Sequence, residues 1–294
     1  MFNKQASPER PVIAWWSGGI TSAVTCKLCV DWFGADNVRI IFIDTGNEGD
    51  DIYQFKDQCS KWYGKYIETI SQTKYRDIRH IWYQFQSLNV ATGAICSTHL
   101  KRAVRDEFQR NNLFSYQAFG YDVDEIPRAR AMKLNYPDIN PIFPLIASIL
   151  TKKDCLKIIT KANDLFLRIT IPQSYLLGYG NNNCMKTMCV QGGVGYWQKV
   201  RVDFPDKFMA MAKVEHDLTD MKGEPVTMLK DQSKGGGLVF LVPHPKYPDI
   251  KDISMMEGRP PKPLIDCNGF CGTNDLIPAK ELPGIDLNYS PIKV

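Results

Sequence analysis

The turn Ser17-Gly18-Gly19-Ile20-Thr21-Ser22 lies between an apolar run, Val12 to Trp16, and a stretch with helical spacing. Adjacent glycines at a strand-to-helix junction leave backbone N–H groups pointing out of a helix N-terminus, where the dipole also favours negative charge. That chemistry suits an anion. The residue immediately before Ser22 is Thr21 rather than a lysine, so the turn is not a Walker loop, and its glycines are adjacent, so it is not G-x-G-x-x-G. A tight turn with a purely structural purpose is the alternative for these six residues taken alone.

Two further constellations could do chemistry. In "CSTHLKRAVR" Cys96 opens a basic helix carrying Lys101, Arg102 and Arg105. There the dipole and the cations would stabilise a thiolate, making Cys96 a candidate nucleophile or persulfide carrier. A solvated helix face is the alternative for the three cations. Cys184 and Cys189, with four residues between them, and Cys267 and Cys271, with three between them, form two close thiol pairs. Such pairs suit tetrahedral zinc or an iron–sulfur cluster, with unligated thiols as the third option. Cys26, Cys29, Cys59 and Cys155 fall on apolar helix faces and read as core. The four histidines make no metal-ligand spacing, and only His99 neighbours a candidate site.

These residues need a scaffold, and the first 170 residues supply an alternating one. "PVIAWW", "NVRIIFIDTG", "KYIETI" and "LFSYQAFG" read as strands; residues 21–34, 50–64 and 96–111 read as helices. That rhythm predicts an α/β fold with a doubly wound, mostly parallel sheet of the Rossmann-like kind. Thr151 is a predicted N-cap for a helix over "TKKDCLKIITKAN", and residues 196–218 read as helical on both sides of Pro205. From about Gly223 the pattern weakens into a loop-rich portion. We expect a nucleotide-binding α/β domain over 1–175 and a cysteine-containing subdomain over 176–294.

The chain has 294 residues, 44% hydrophobic, with a formal net charge of +4. A sizeable core is therefore available, and an anionic ligand or nucleic acid is allowed without being demanded. No apolar run is long enough to span a membrane, and the polar "MFNKQASPER" carries no signal-peptide core, so a cytoplasmic location without membrane association is expected. Nine cysteines in such a chain argue against a disulfide framework.

The pattern S-G-G-x-x-S after the first strand resembles the pyrophosphate loop of the adenine-nucleotide alpha-hydrolase (PP-loop) superfamily. Within it, the chain is most similar to the phosphoadenosine-phosphosulfate (PAPS) reductase family, of phage and bacterial type. The resemblance implies that Ser17, Gly18, Gly19, Thr21 and Ser22 cradle phosphates of ATP, or the anionic group of a sulfonucleotide. Thr21 stands where the ATP-using form has an aspartate near magnesium. "FIDTG" resembles the second-strand motif and implies that Asp44, Thr45 and Gly46 lie beside the nucleoside. The Cys96 segment resembles one that supplies a lysine, here Lys101, to nucleotide or sulfate. "FGYDVDEIPRAR" resembles the glycine turn at Gly120 with a downstream arginine, Arg128 or Arg130, to clamp phosphate in bidentate fashion.

"NNNCMKTMCVQGGVGYW" resembles the cysteine segment of the same family, though with wider cysteine spacing. The resemblance implies an ATP pyrophosphatase with Mg2+ and an iron–sulfur cluster or zinc on Cys184, Cys189, Cys267 and Cys271. It would activate a nucleic acid, tRNA or DNA, for sulfur insertion, with a cysteine desulfurase or sulfur carrier as donor. A sulfonucleotide reductase is the alternative, although the chain lacks the family's Glu-Cys-Gly-x-His tail. A nucleotide-binding module without catalysis is the third reading. For nucleic acid, "KKDCLKIITK", "YWQKVR" and the Lys101 helix would neutralise phosphates while Tyr196 and Trp197 stack on bases; packing of those two rings in the core is the competing reading.

Overall fold

Strand β1 (Val12–Trp16) is buried along its whole length and leads through Gly18 and Gly19 into helix α1 (Ile20–Phe33). The computed structural model describes residues 6–90, 93–163, 168–180 and 184–262. The alternation continues through β2 (Val38–Ile43), α2 (Asp50–Tyr63), β3 (Ile67–Ile70) and α3 (Ile78–Phe85). A short hairpin, β4 (Asn89–Val90) and β5 (Gly93–Ala94), precedes a broken helix made of α4 (Ile95–Ser97), a π-helical turn over Thr98–Arg102, and α5 (Ala103–Asn111). Strand β6 (Tyr116–Ala118), α6 (Ile126–Asn135), β7 (Pro141–Ile142), α7 (Pro144–Ala147) and α8 (Lys152–Ala162) complete the first half.

The second half carries α9 (Gln173–Leu176), α10 (Val194–Asp203) and α11 (Pro205–Lys222). These are followed by the short strands β8 (Leu229–Lys230), β9 (Leu238–Phe240) and β10 (Lys251–Asp252). Pro205 restarts the chain as α11, as the sequence implied, because proline is tolerated in the first turn and not in a helix interior. Thr151 caps α8 in a reciprocal box with Asp154. Among the described residues no helix is long and apolar enough to cross a membrane.

The central sheet has the order β3-β2-β1-β6-β7 and every pairing is parallel. This is the doubly wound α/β fold expected from the sequence. Side chains of β1 alternate between two cores, as a pleated strand requires. Val12, Ala14 and Trp16 pack with Ala23 and Cys26 of α1, Phe55 and Cys59 of α2, and Ile159 of α8. Ile13 and Trp15 face Val104 and Phe108 of α5 and Met132 of α6. From β1 the chain winds first to β2, then returns to place β6 on the other flank. The sheet order therefore reverses between β1 and β6, and a crevice opens beyond their C-terminal ends.

A third core draws Ile81, Trp82 and Leu100 together with Trp197, Met211 and Val239, so side chains from both sides of position 175 share it. Beneath it Glu215 of α11 is fully buried, and its two carboxylate oxygens accept the N–H groups of Met228 (2.7 Å) and Leu241 (2.8 Å). Burial pushes its carboxyl up to about 8, against the pull of those two N–H groups. A raised folded-state value means that stability present below the ordinary carboxylate range is lost as pH rises toward 8. The expected loss is at most about 1.4 kcal/mol per pH unit. Melting curves of the wild type and Glu215→Gln between pH 5 and 8.5 should show the wild type's advantage shrinking as pH rises; a constant gap would refute this.

Candidate functional site

The turn after β1 is held by one hydroxyl. Ser22 Oγ accepts from Ser17 N and Ser17 Oγ, both at 3.0 Å, and donates to the Gly19 carbonyl at 2.9 Å. Gly18 takes φ +83°, a backbone region that a side chain strains. Helix α1 begins at Ile20 with no acidic residue in its first turn and no side-chain cap at Gly19, so its dipole is not neutralised locally. The phenol of Tyr175 accepts the Ile20 N–H at 3.2 Å. Thr21 is buried, and its hydroxyl has no hydrogen-bond partner among the described residues.

Ser22→Ala removes all three bonds of that hydroxyl. It should cost about 1–3 kcal/mol in stability. Nucleotide affinity should fall by at least about tenfold, measured by calorimetry. An unchanged affinity would show that the turn is not a ligand cradle.

Because β1, β2 and β6 are parallel neighbours, their following loops leave the same sheet edge. The loop after β6 closes on the turn. A Cβ added at Gly120 would stand 2.8 Å from Ser22 N and 2.9 Å from Ser22 Cα. Gly120 is thus a contact between two backbones. Next to it, Arg128 stacks over the Tyr121 ring at 4.4 Å and pairs with Glu125, so a phosphate would have to compete with that carboxylate for it. The Nε of Arg130 is buried with no hydrogen-bond partner among the described residues.

Beyond β2, Asp44 accepts the Gly46 N–H (2.8 Å) and the Tyr53 hydroxyl (3.0 Å), and Thr45 donates to Glu48 (3.2 Å). Glu48 is 1% exposed and faces Lys101 Nζ at 3.8 Å. Lys101 and Arg105 are buried, so the solvated-face reading of that helix fails for both. The π-helical turn explains part of this: widening the helix at Thr98–Arg102 shifts the register of the side chains that follow Cys96. Glu48 was not singled out from the sequence. The available signal was an acidic side chain two residues before a helix that already begins with Asp50 and Asp51.

The cysteine segment docks on the same loop. Asn47 Nδ2 donates to Thr187 Oγ1 at 2.7 Å within the interior, and the Lys186 N–H donates to the Asn47 carbonyl at 3.3 Å. Cys189 N donates to the Tyr196 hydroxyl at 3.2 Å, and burial, then the neighbouring Cys189 and Cys184 thiols, push that phenol well up. Cys189 and Tyr196 lie in one core, and Cys184 packs against it. Cys96 is buried in the same core, while Cys267 and Cys271 lie outside the described residues. Among the described residues no group of three or more His, Cys, Asp or Glu side chains is placed to hold a metal.

Tyr196 and Trp197 are core residues at 2% and 0% exposure, so they do not stack on bases. Both lie on the buried face of α10, where Tyr196 fills the space that an added Cβ on Gly192 would enter. His99 stacks on Phe85 at 4.4 Å and meets the Tyr75 hydroxyl at 3.2 Å. Cys26, Cys29, Cys59 and Cys155 are all buried, and burial pushes each thiol up, that of Cys59 to about 12, which keeps them protonated and inert.

A parallel α/β sheet with a glycine turn at its switch point, closed by a second glycine loop, is an arrangement that receives ligands beyond the C-terminal ends of its strands. Residues 11–98 match the phosphoadenosine phosphosulfate reductase domain, which makes this part of the chain a nucleotide-binding domain of the PP-loop superfamily. No curated protein matches the chain.

Proposed function

We propose that the chain is an ATP pyrophosphatase that cleaves between the α- and β-phosphates, activating a nucleic-acid substrate as an adenylate for sulfur insertion. The observation that carries the reading is the cradle itself: N–H groups at the start of α1, fixed by Ser22 and pressed against Gly120. In this reading Ser17, Gly18, Gly19 and Ser22 hold the pyrophosphate, while Asp44, Thr45 and Gly46 border the nucleoside. Lys101 neutralises charge on the transferring group, with Arg128 and Arg130 as further cations. Positioning and charge neutralisation suffice for this chemistry.

Magnesium fits only partly. The first turn of α1 supplies no carboxylate and Thr21 is buried, so the phosphates themselves, with Asp44 at the end of β2, would hold the ion. Bound there, it would neutralise charge on the phosphates. For the cysteine site, Cys184 and Cys189 pack in the same core as Tyr196. An added Cβ on Gly195 would stand 2.4 Å from the Pro260 carbonyl, so the backbone at Pro260 packs directly on α10, while Cys267 and Cys271 lie outside the described residues. A cluster or zinc on four thiolates would serve the sulfur step. A visible absorbance band after anaerobic purification supports the cluster, and one zinc per chain reverses that choice.

ATP-dependent pyrophosphate release, read as phosphate after added pyrophosphatase, tests the main reading. No release with any RNA or DNA present would sink it. The family match favours one second reading, a sulfonucleotide reductase, in which case the cradle binds PAPS in preference to ATP and thiol-dependent sulfite release replaces pyrophosphate release.

A further inference from the structure

A cleft of about 310 Å3 opens beside the β2 loop, outside the glycine cradle. One wall is the loop segment Thr45 to Asn47, the second is the start of α3 with Arg76 and Arg79, and the third is Lys186 with Thr187. Its cations thus come from segments more than a hundred residues apart. The single carboxylate in the lining, Asp77, is spent on capping α3: it accepts the His80 N–H at 2.8 Å and faces Arg76 at 3.2 Å. The arrangement is held in place by the buried Asn47–Thr187 bond and by Lys186 Nζ, which donates to the Gly46 carbonyl at 3.3 Å.

The lining carries three cations and one carboxylate, and Asp50 stands 3.8 Å from Lys186 Nζ, so the positive potential of this concave surface centres on Arg76 and Arg79, beside the loop that borders the nucleoside. Arg76 is 82% exposed, so the cleft's rim can follow a chain that passes across it. With Tyr196 and Trp197 in the core, base stacking is not available there, and recognition falls to phosphate contacts.

We propose that this cleft takes backbone phosphates of a polynucleotide acceptor and lays that acceptor beside the nucleotide in the cradle. The proposal rests on the function proposed above and names where its nucleic-acid substrate binds. The test uses the full chain and fluorescence anisotropy with a labelled RNA hairpin and a labelled DNA duplex, across a salt series. Arg76→Glu with Arg79→Glu is compared with a control of equal charge change, Lys230→Glu with Lys234→Glu, on exposed positions outside the cleft.

The cleft variant should lose at least about tenfold in affinity, and its log–log salt slope should fall by about 2, because two phosphate contacts are removed. The control should bind as the wild type does. Three results would overturn the proposal: a wild type that binds neither polymer, equal losses in both variants, or loss of ATP or PAPS binding in the cleft variant with polynucleotide binding intact. The last would assign the cleft to the small nucleotide. Polynucleotide binding through the cleft without pyrophosphate release would sink the pyrophosphatase reading alone and leave the cleft assignment standing.

Discussion

Gly120→Ala is expected to abolish tight nucleotide binding. The added methyl would stand 2.8 Å from Ser22 N, 2.9 Å from Ser22 Cα and 3.2 Å from the Thr21 carbonyl carbon. All three are backbone atoms at the start of α1, and no rotamer change moves them aside. The loop after β6 and the N-terminus of α1 must separate by several tenths of an ångström. Overpacking of this kind costs about 1–3 kcal/mol in stability. The larger effect falls on the ligand, because the same displacement pulls Ser22 Oγ away from Ser17 and Gly19 and opens the cradle. Affinity should drop by at least about two orders of magnitude, or about 2.7 kcal/mol, with the fold retained by circular dichroism. A variant that binds ATP like the wild type would place the ligand elsewhere.

Lys101→Met is the second large effect. Lys101 and Glu48 are both buried and stand 3.8 Å apart, a charge pair rather than a hydrogen bond. Removing the cation takes away the charge that offsets a buried carboxylate, at an expected cost of about 3–5 kcal/mol. If Lys101 also neutralises charge on the transferring phosphate, turnover should fall by about 10²–10³. The two losses separate in Lys101→Met/Glu48→Gln, which removes both charges. Stability should return to within about 1 kcal/mol of the wild type, since a neutral buried pair avoids the desolvation penalty. Turnover should stay low. Recovery of turnover with stability would assign Lys101 to folding alone.

Local patterns carried much of the fold. The apolar run at Val12 to Trp16, the helical spacing of α1 and α2, Gly34 and Gly64 as helix stops, and Thr151 as a cap all appear where the sequence implies them, because each depends on side chains a few residues apart. Helix α3 and the strand β7 were not foreseen. The first is eight residues long and follows a polar turn; the second has two residues, the first of them Pro141, and it exists through pairing with β6. Short elements of that kind are stabilised by tertiary pairing rather than propensity.

Of the candidate site, the turn after β1 was legible as a local motif: two glycines between a buried strand and a helix. Lys101 could be named as a cation, but whether it was solvated or buried was decided by a π-helical turn and by Glu48, a residue 53 positions earlier in the chain. The same holds for Tyr196 and Trp197, whose aromatic character fits a base-stacking surface as well as a core until burial is known. The sequence by itself determined the alternation of strands and helices and the position of the glycine turn after β1, since both rest on neighbours in the chain. Only the tertiary structure decided that Gly120 closes that turn, that the cysteine segment docks on the β2 loop through Asn47 and Thr187, and that Arg76, Arg79 and Lys186 share one cleft. Those contacts join residues about 100 or more positions apart, and burial and distance at that separation are set by how the sheet winds, not by any local pattern.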